Sequence, residues 1–334
     1  MTKSWFNRFL PALTVGVSML IAHGQPASAD MAPPDEQFMS MGTSSAGGSF
    51  FPLAGAMANV IGKAYPQLKI NAEITGGSVD NVKLIHNGQL ELALISAQPA
   101  YQGYHGLGKF ESTGPLESHR ALMAGHGNFW QLYTLKSSGI ETIYDLKGKT
   151  VSLGATGSDG NSIGKLVIEA HGLKMNEDWR PEYISHGNGP GALRDGRVDA
   201  VLILSSAPTS AVTDITSTNG DEVVFVNPDP KVLKGLLDQF PYWSAGAIPA
   251  GTYNGHDEDI TGTFKLAVLL CASKDVSDEV AYAVVKALIE NNAALTSANA
   301  LGKYWSRDDA VGPLKGVIPI HPGAEKYYRD NGLM

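Results

Sequence analysis

Three times in this chain an apolar stretch ends in a cluster of Gly, Ser and Thr and gives way to a helical pattern. The clusters are Gly42-Thr43-Ser44-Ser45-Ala46-Gly47-Gly48-Ser49, Thr75-Gly76-Gly77-Ser78 and Gly154-Ala155-Thr156-Gly157-Ser158-Asp159-Gly160-Asn161. Strand, tight joint, helix is the repeating unit of a parallel α/β sheet, because parallel strands need a crossover and the crossover is usually helical. The C-termini of such strands share one edge, where ligands bind.

The flanking residues supply the rest of the pattern. Leu53, Met57, Val60, Ile61 and Ala64 fall on one helical face, and Ile70, Ala72 and Ile74 alternate as in a strand. Val79, Val82 and Ile85 mark a second helix, and residues 92–95 form the continuous apolar run of a strand buried on both faces. The pattern restarts with strands expected at 150–153, 183–185 and 200–204 and a helix at 163–170 that Gly172 stops. Extended segments 121–124, 129–135 and later 242–248 are expected to carry the chain across and back. The last clear helix is expected over 278–295, with Val280, Val284, Leu288 and Ile289 on one face.

A chain of 334 residues is long enough for about two domains. The expected architecture is therefore α/β, two lobes joined by crossover strands, with a ligand cleft between them. The first lobe begins with 38–126, 127–243 form the second lobe, and 244–334 return to complete the first.

The N-terminus has the pattern of an export signal. Lys3 and Arg8 precede the apolar run 9–22, and Ala27, Ser28 and Ala29 give the small-x-small site for cleavage after Ala29. The run is shorter than the roughly 20 residues that span a bilayer and contains Pro11. Residues 1–29 are thus expected to be a signal peptide and 30–37, with Pro33 and Pro34, a flexible leader. Cleavage removes Lys3 and Arg8 and takes the formal charge from −8 to −10. Such a balance, without a basic cluster, argues against a nucleic-acid partner.

Catalytic and metal motifs fare poorly. The first joint has the spacing of a phosphate loop, but Gly48 stands where its lysine would be, and the Rossmann G-x-G-x-x-G and the G-x-S-x-G elbow are absent. The nine histidines show no metal-ligand spacing; His105, His119, His126 and His186 are expected at the surface or in loops. Asp159 is expected to cap a helix rather than act as a base. Cys271, in an apolar run, is expected to be a buried structural thiol.

The joints themselves offer anion-binding chemistry, since helix N-termini leave N–H groups unpaired and carry partial positive charge. The hydroxyls of Ser44, Ser49, Thr75, Ser78 and Ser158 would add donors without an Arg clamp. Ser205 and Ser206, after the strand at 200–204, would add more from the second lobe. Aromatic residues such as Phe50, Trp130 and Tyr242 would form an apolar wall.

In order and spacing, several segments resemble the solute-binding subunits of TRAP transporters of the TAXI type. They are Gly42-Thr43-Ser44-Ser45-Ala46-Gly47-Gly48-Ser49-Phe50-Phe51-Pro52-Leu53, Glu73-Ile74-Thr75-Gly76-Gly77-Ser78-Val79-Asp80-Asn81, Ala100-Tyr101-Gln102-Gly103-Tyr104, Asp145-Leu146-Lys147-Gly148-Lys149 and Ile248-Pro249-Ala250-Gly251-Thr252-Tyr253-Asn254-Gly255. The resemblance implies a periplasmic binding protein of type II fold without catalysis; no cofactor or metal site is expected, and the chain is expected to be a monomer. It would capture a small organic solute, often an amino acid such as glutamate or another carboxylate, and deliver it to an ion-driven permease. Two segments depart from the relatives: Ser96-Ala97-Gln98 stands in place of Gln-Ser-Asp, and Ala155-Thr156-Gly157-Ser158 in place of Ala-Pro-Gly-Ser. The expected ligand-binding residues are Thr43, Ser44, Gly48, Ser49, Phe50, Thr75, Gly77, Ser78, Gln98, Trp130, Thr156, Gly157, Ser158, Ser205, Ser206 and Tyr242. A periplasmic sensor subunit using the same cleft is the alternative.

Overall fold

The computed structural model describes Met1, residues 31–240 and residues 242–334, and 31–334 form one compact unit. The expected export signal, Met1 apart, lies outside the described residues. Part of the expected leader is already ordered, because Gln37 opens the first strand.

The first half runs β1 (Gln37–Gly42), α1 (Phe50–Ala64), β2 (Leu68–Glu73), α2 (Ser78–His86), β3 (Leu92–Ser96) and α3 (Ala97–His105). α1 buries Leu53, Met57, Val60 and Ile61 on one face and ends just before Pro66, which disfavours helical backbone at Tyr65. Every residue of β3 is buried, since it lies between β1 and the later strand β10 (Ile260–Ser273). β2 is the sheet edge, so its alternation is only half buried and Ile74, beyond its end, is exposed.

The two expected segments 121–124 and 129–135 are one long strand, β4 (His119–Leu135). The second half follows as β5 (Thr150–Ser152), α4 (Asp159–Ala170), β6 (Arg180–Glu182), α5 (Gly189–Arg194), β7 (Ala200–Ser205), α6 (Ser210–Asn219), β8 (Val223–Phe225), α7 (Pro230–Gln239) and β9 (Trp243–Ile248). β10 then leads to α8 (Asp278–Glu290), α9 (Asn292–Ala298) and α10 (Pro322–Asp330).

The strands form one mixed sheet ordered β2-β1-β3-β10-β4-β7-β5-β6, with β8 on β4 and β9 on β10. Two parallel triplets, β2-β1-β3 and β7-β5-β6, flank the antiparallel pair β10–β4. The chain therefore returns through β10, not through 242–248: β9 pairs only with β10, as an antiparallel neighbour. Core packing divides on β10 itself. Leu266 packs with Trp130 and Leu204, while Val268 packs with Ala124 and Leu94. A register shift between Ala267 and Leu269, opposite Gly127 and Ala124, falls at the same place, where a bulge bends and twists the ribbon.

Other expectations shift. β6 lies at 180–182 rather than 183–185; it is a polar edge strand, held by its register on β5, and offers no hydrophobic signal. The helix expected over 278–295 is two helices, because Asn291 turns its amide onto the Ala287 carbonyl (2.9 Å) and ends α8. His119, His126 and His186 are buried, whereas His105 is exposed. Cys271 is fully buried in β10, which raises its thiol pKa beyond the usual range. Among the described residues no helix is long and apolar enough to cross a membrane.

Candidate functional site

Each parallel triplet delivers its strand C-termini to the same edge, so the joints from both halves meet. Ser49 N–H donates to Ser205 Oγ at 3.2 Å, and the two hydroxyls lie 3.1 Å apart. Thr209 Oγ1 and Ser210 Oγ donate to the Gly47 carbonyl at 3.2 and 3.1 Å, and His186 N–H donates to Ser45 Oγ at 3.3 Å. At the second joint, Asp80 N–H reaches the Gly157 carbonyl at 3.3 Å. The cleft is shut by these contacts.

They enclose a space of about 10 Å³, room for about one water molecule. The first joint contributes Ser44, Ser45 and Phe50, the second Gly76, Gly77 and Ser78, and the third Ala155, Ser158 and Asp159. Asn128 of β4, Leu204 and Ser205 of β7, and His186 complete the wall. Among the described residues no Lys or Arg lines it. An outer groove of about 360 Å³ beside α4 is lined by Gln98, Lys109, Asn161 and Lys165, and Lys109 Nζ donates to Asn161 Oδ1 at 2.6 Å.

Of the expected ligand residues, the structure brings Ser44, Phe50, Gly77, Ser78, Ser158 and Ser205 to this cavity. Thr43 and Thr75 lie beneath it as scaffold. Thr43 Oγ1 donates to the Glu73 carbonyl (2.7 Å), while Thr75 Oγ1 bonds Thr43 O (2.9 Å) and Asn81 Oδ1 (2.7 Å) and accepts from Gly77 N–H (3.1 Å). Ser49 is committed to Ser205, and Gly157 to Asp80. Thr156 is turned to solvent.

Gln98 lines the outer groove and accepts from Trp243 Nε1 at 2.6 Å. Ser206 donates to the Pro208 carbonyl (3.1 Å) and borders a separate hollow of about 410 Å³ beside Phe129 and Lys265. Trp130 is not a cleft wall: it is buried in the second-half core, donates to the Val226 carbonyl at 3.1 Å and stacks on Phe264. It lies on the same face of β4 as Asn128 but two residues further along, about 7 Å away. Tyr242 packs on Tyr101 and Phe240, outside the enclosed space.

The cavity residues outside the expected set include the polar side chains of His186, Asn128 and Asp159. His186, only 6 % exposed, wedges its ring between the first and third joints. A Cβ on Gly48 would stand 3.3 Å from its Nδ1 and one on Gly154 3.1 Å from its Nε2, so the two glycines make the recess. Neither ring nitrogen has a hydrogen-bond partner, and burial lowers its pKa to about 4, leaving it neutral near pH 7. Asn128 donates through Nδ2 to Ser96 Oγ at 3.0 Å, and its Oδ1 has no partner.

Asp159 is not the cap expected: Ser158 holds the N-cap position, Asp159 is the first residue of α4, and its carboxylate faces the cavity. Oδ2 accepts from Ser96 Oγ and from Ser78 Oγ (3.5 Å), and Oδ1 accepts from Gly160 N–H at 3.0 Å. Burial pushes its pKa up against the opposing pull of these bonds. The Gly-Ser-Asp-Gly sequence signals a cap, while nothing local to His186 or Asn128 signals a ligand site. Among the described residues no group of three His, Cys, Asp or Glu is placed to hold a metal ion.

A mixed α/β sheet in which the antiparallel pair β10–β4 joins two parallel triplets, with polar joints meeting at one edge, is a periplasmic binding protein-like fold. The chain belongs to the NMT1-like family, whose profile matches residues 41–332. Among solved structures it is similar to a protein from Bordetella bronchiseptica RB50, at 15 % identity and a TM-score of 0.50 over 88 % of this chain and 89 % of that one. It is also similar to the binding component of a phosphonate ABC transporter from Pseudomonas aeruginosa (12 % identity, TM-score 0.49, 81 % and 80 % covered). A third is the alkanesulfonate-binding protein SsuA from Xanthomonas axonopodis pv. citri, solved with MOPS (14 % identity, TM-score 0.45, 90 % and 85 % covered).

Proposed function

We propose that the chain is an extracytoplasmic solute-binding protein that captures a small organic solute by lobe closure and hands it unchanged to a membrane permease. The observation that carries this reading is the meeting of polar joints from both halves of the sheet around unpartnered atoms of His186 and Asn128, across contacts that part to admit a solute larger than the water-sized space they now enclose. Buried polar groups are ordinarily satisfied, so a wall of this kind is built to receive hydrogen bonds from a guest. A guest held from both sides favours the closed form by its differential affinity for it, and closure is the signal a permease can read.

The finer reading is an amino acid or other small carboxylate as cargo, a TRAP-type permease as partner, and a monomer working in the periplasm after cleavage behind Ala29. The joint segments that resemble TAXI-type subunits support it, and hydroxyls at helix N-termini suit a carboxylate. Binding rather than catalysis fits the geometry: the Asp159 carboxylate is held by two hydroxyls and an amide, and neither nitrogen of His186 bonds a hydroxyl.

The test is a thermal-shift screen of the mature chain, refolded to strip carried-over ligand, against amino acids, dicarboxylates, 2-oxoacids and sugars. A true cargo at 100 times its dissociation constant adds about 2.7 kcal/mol of stability. A reproducible upward shift for one compound class supports capture, and silence across the panel removes it. Uptake into vesicles carrying the permease, driven by an ion gradient rather than ATP, decides the transporter type.

A further inference from the structure

The cavity carries an imbalance that its own walls leave uncorrected. Asp159 is 5 % exposed, and among the described residues its hydrogen-bond donors are two hydroxyls and one backbone amide. Asn128, 1 % exposed, borders the same space. Because its Nδ2 is held by Ser96 Oγ, the amide orientation is set and Oδ1 is left as an acceptor without a donor.

Asp159 on α4 lacks a counter-charge and Asn128 Oδ1 on β4 lacks a donor, and a single cationic donor group would meet both needs. Ser96 ties them together, accepting from Asn128 and donating to Asp159. A buried carboxylate without a cation is costly, as is a buried acceptor without a donor. Among the described residues no Lys or Arg lines the cavity to relieve either.

We propose that the cargo carries a protonated amine and that Asp159 and Asn128 Oδ1 form the subsite that receives it. This rests on the solute-binding reading above and narrows it to zwitterionic or cationic solutes. An ammonium group is all donor and no acceptor, the complement of these two groups, and its charge balances the carboxylate. A solute bearing only carboxylates would set a second anion against Asp159. The neutral imidazole of His186, with both ring nitrogens unpartnered among the described residues, remains for the other end of the solute.

The experiment is calorimetric titration of the refolded protein with matched pairs: L-alanine and propionate, L-glutamate and glutarate, ethanolamine and ethylene glycol. The wild type is compared with Asp159→Asn, which retains an acceptor for Ser96 but not the charge. The amine member of at least one pair binds, its deaminated partner binds at least tenfold more weakly, and Asp159→Asn removes tenfold or more of the amine's affinity. Asn128→Ser, checked for folding by circular dichroism, gives the same selective loss should Asp159→Asn fail to fold. Equal binding of both members of a pair, binding of deaminated members alone, or undiminished amine affinity in the folded variants overturns the amine subsite and leaves solute capture standing. No binding of any compound by the wild type overturns both.

Discussion

Ser49, the residue before α1, has its backbone N–H satisfied by the hydroxyl of Ser205, the last residue of β7, across the cleft at 3.2 Å. Ser49 makes no side-chain cap of its own, so an N–H at the start of α1 finds its partner at the end of β7, on the far side of the cleft. Closure and helix capping are one event. Ser205→Ala therefore leaves a buried N–H unpaired and lowers stability by about 1–3 kcal/mol in urea unfolding, with a larger radius of gyration in X-ray scattering. An unaltered midpoint and radius would show that this pair does not hold the cleft shut.

Asp159 makes a pH prediction whose sign is set by burial. Its native pKa is raised above 3.8, so between these values the native state holds a proton that the unfolded chain has released. Wild-type stability then falls as pH rises through that window. Asp159→Asn has no such loss, so the stability of the variant relative to wild type should be flat below about pH 3.8 and grow as pH rises. A difference independent of pH would mean that the carboxylate is not destabilised by its site.

His186 acts in the opposite direction. With its native pKa lowered to about 4, the unfolded chain binds a proton below about 6.5 that the native state refuses. Stability is present in full above the unfolded value and is lost as pH falls toward 4. His119, lowered to about 4, and His126, lowered to about 3, add to the same slope. His186→Gln should flatten the acid limb by up to about 1.4 kcal/mol per pH unit, read from unfolding midpoints between pH 4.5 and 6.5.

Gly154 tests the recess that holds the imidazole. Its φ is +80°, and an added Cβ would lie 2.9 Å from Ser158 Oγ and 3.1 Å from His186 Nε2. Gly154→Ala should therefore cost about 1–3 kcal/mol through backbone strain and crowding together, and weaken whatever ligand the screen identifies. Gly139, also at positive φ but with nothing within 4 Å of its added Cβ, is the control: Gly139→Ala should cost less and leave binding alone.

Much of the fold was legible because its signals are local. The stripe of Leu53, Met57, Val60 and Ile61 marked α1, and the apolar run at 92–95 marked a strand buried on both faces. β6 was misplaced because a polar edge strand is defined by pairing with β5, a relation between residues 30 positions apart that leaves no local trace. The return through β10 was misassigned to 242–248 because β9 and β10 both read as extended, and only the pairing of β10 with β3 and β4 shows which one crosses.

The sequence by itself determined the α/β units, the three glycine-rich joints and the hydroxyls they carry, since turn chemistry and side-chain period are written within a few residues. Only the tertiary structure decided which of those hydroxyls face the cavity and which are spent beneath it, as with Ser78 against Thr75. It alone placed His186 beside Ser45, 141 positions away, and Ser205 on Ser49, 156 positions away. A cavity is made by what two distant segments leave unfilled when they pack, and that remainder is a property of the packing rather than of either segment.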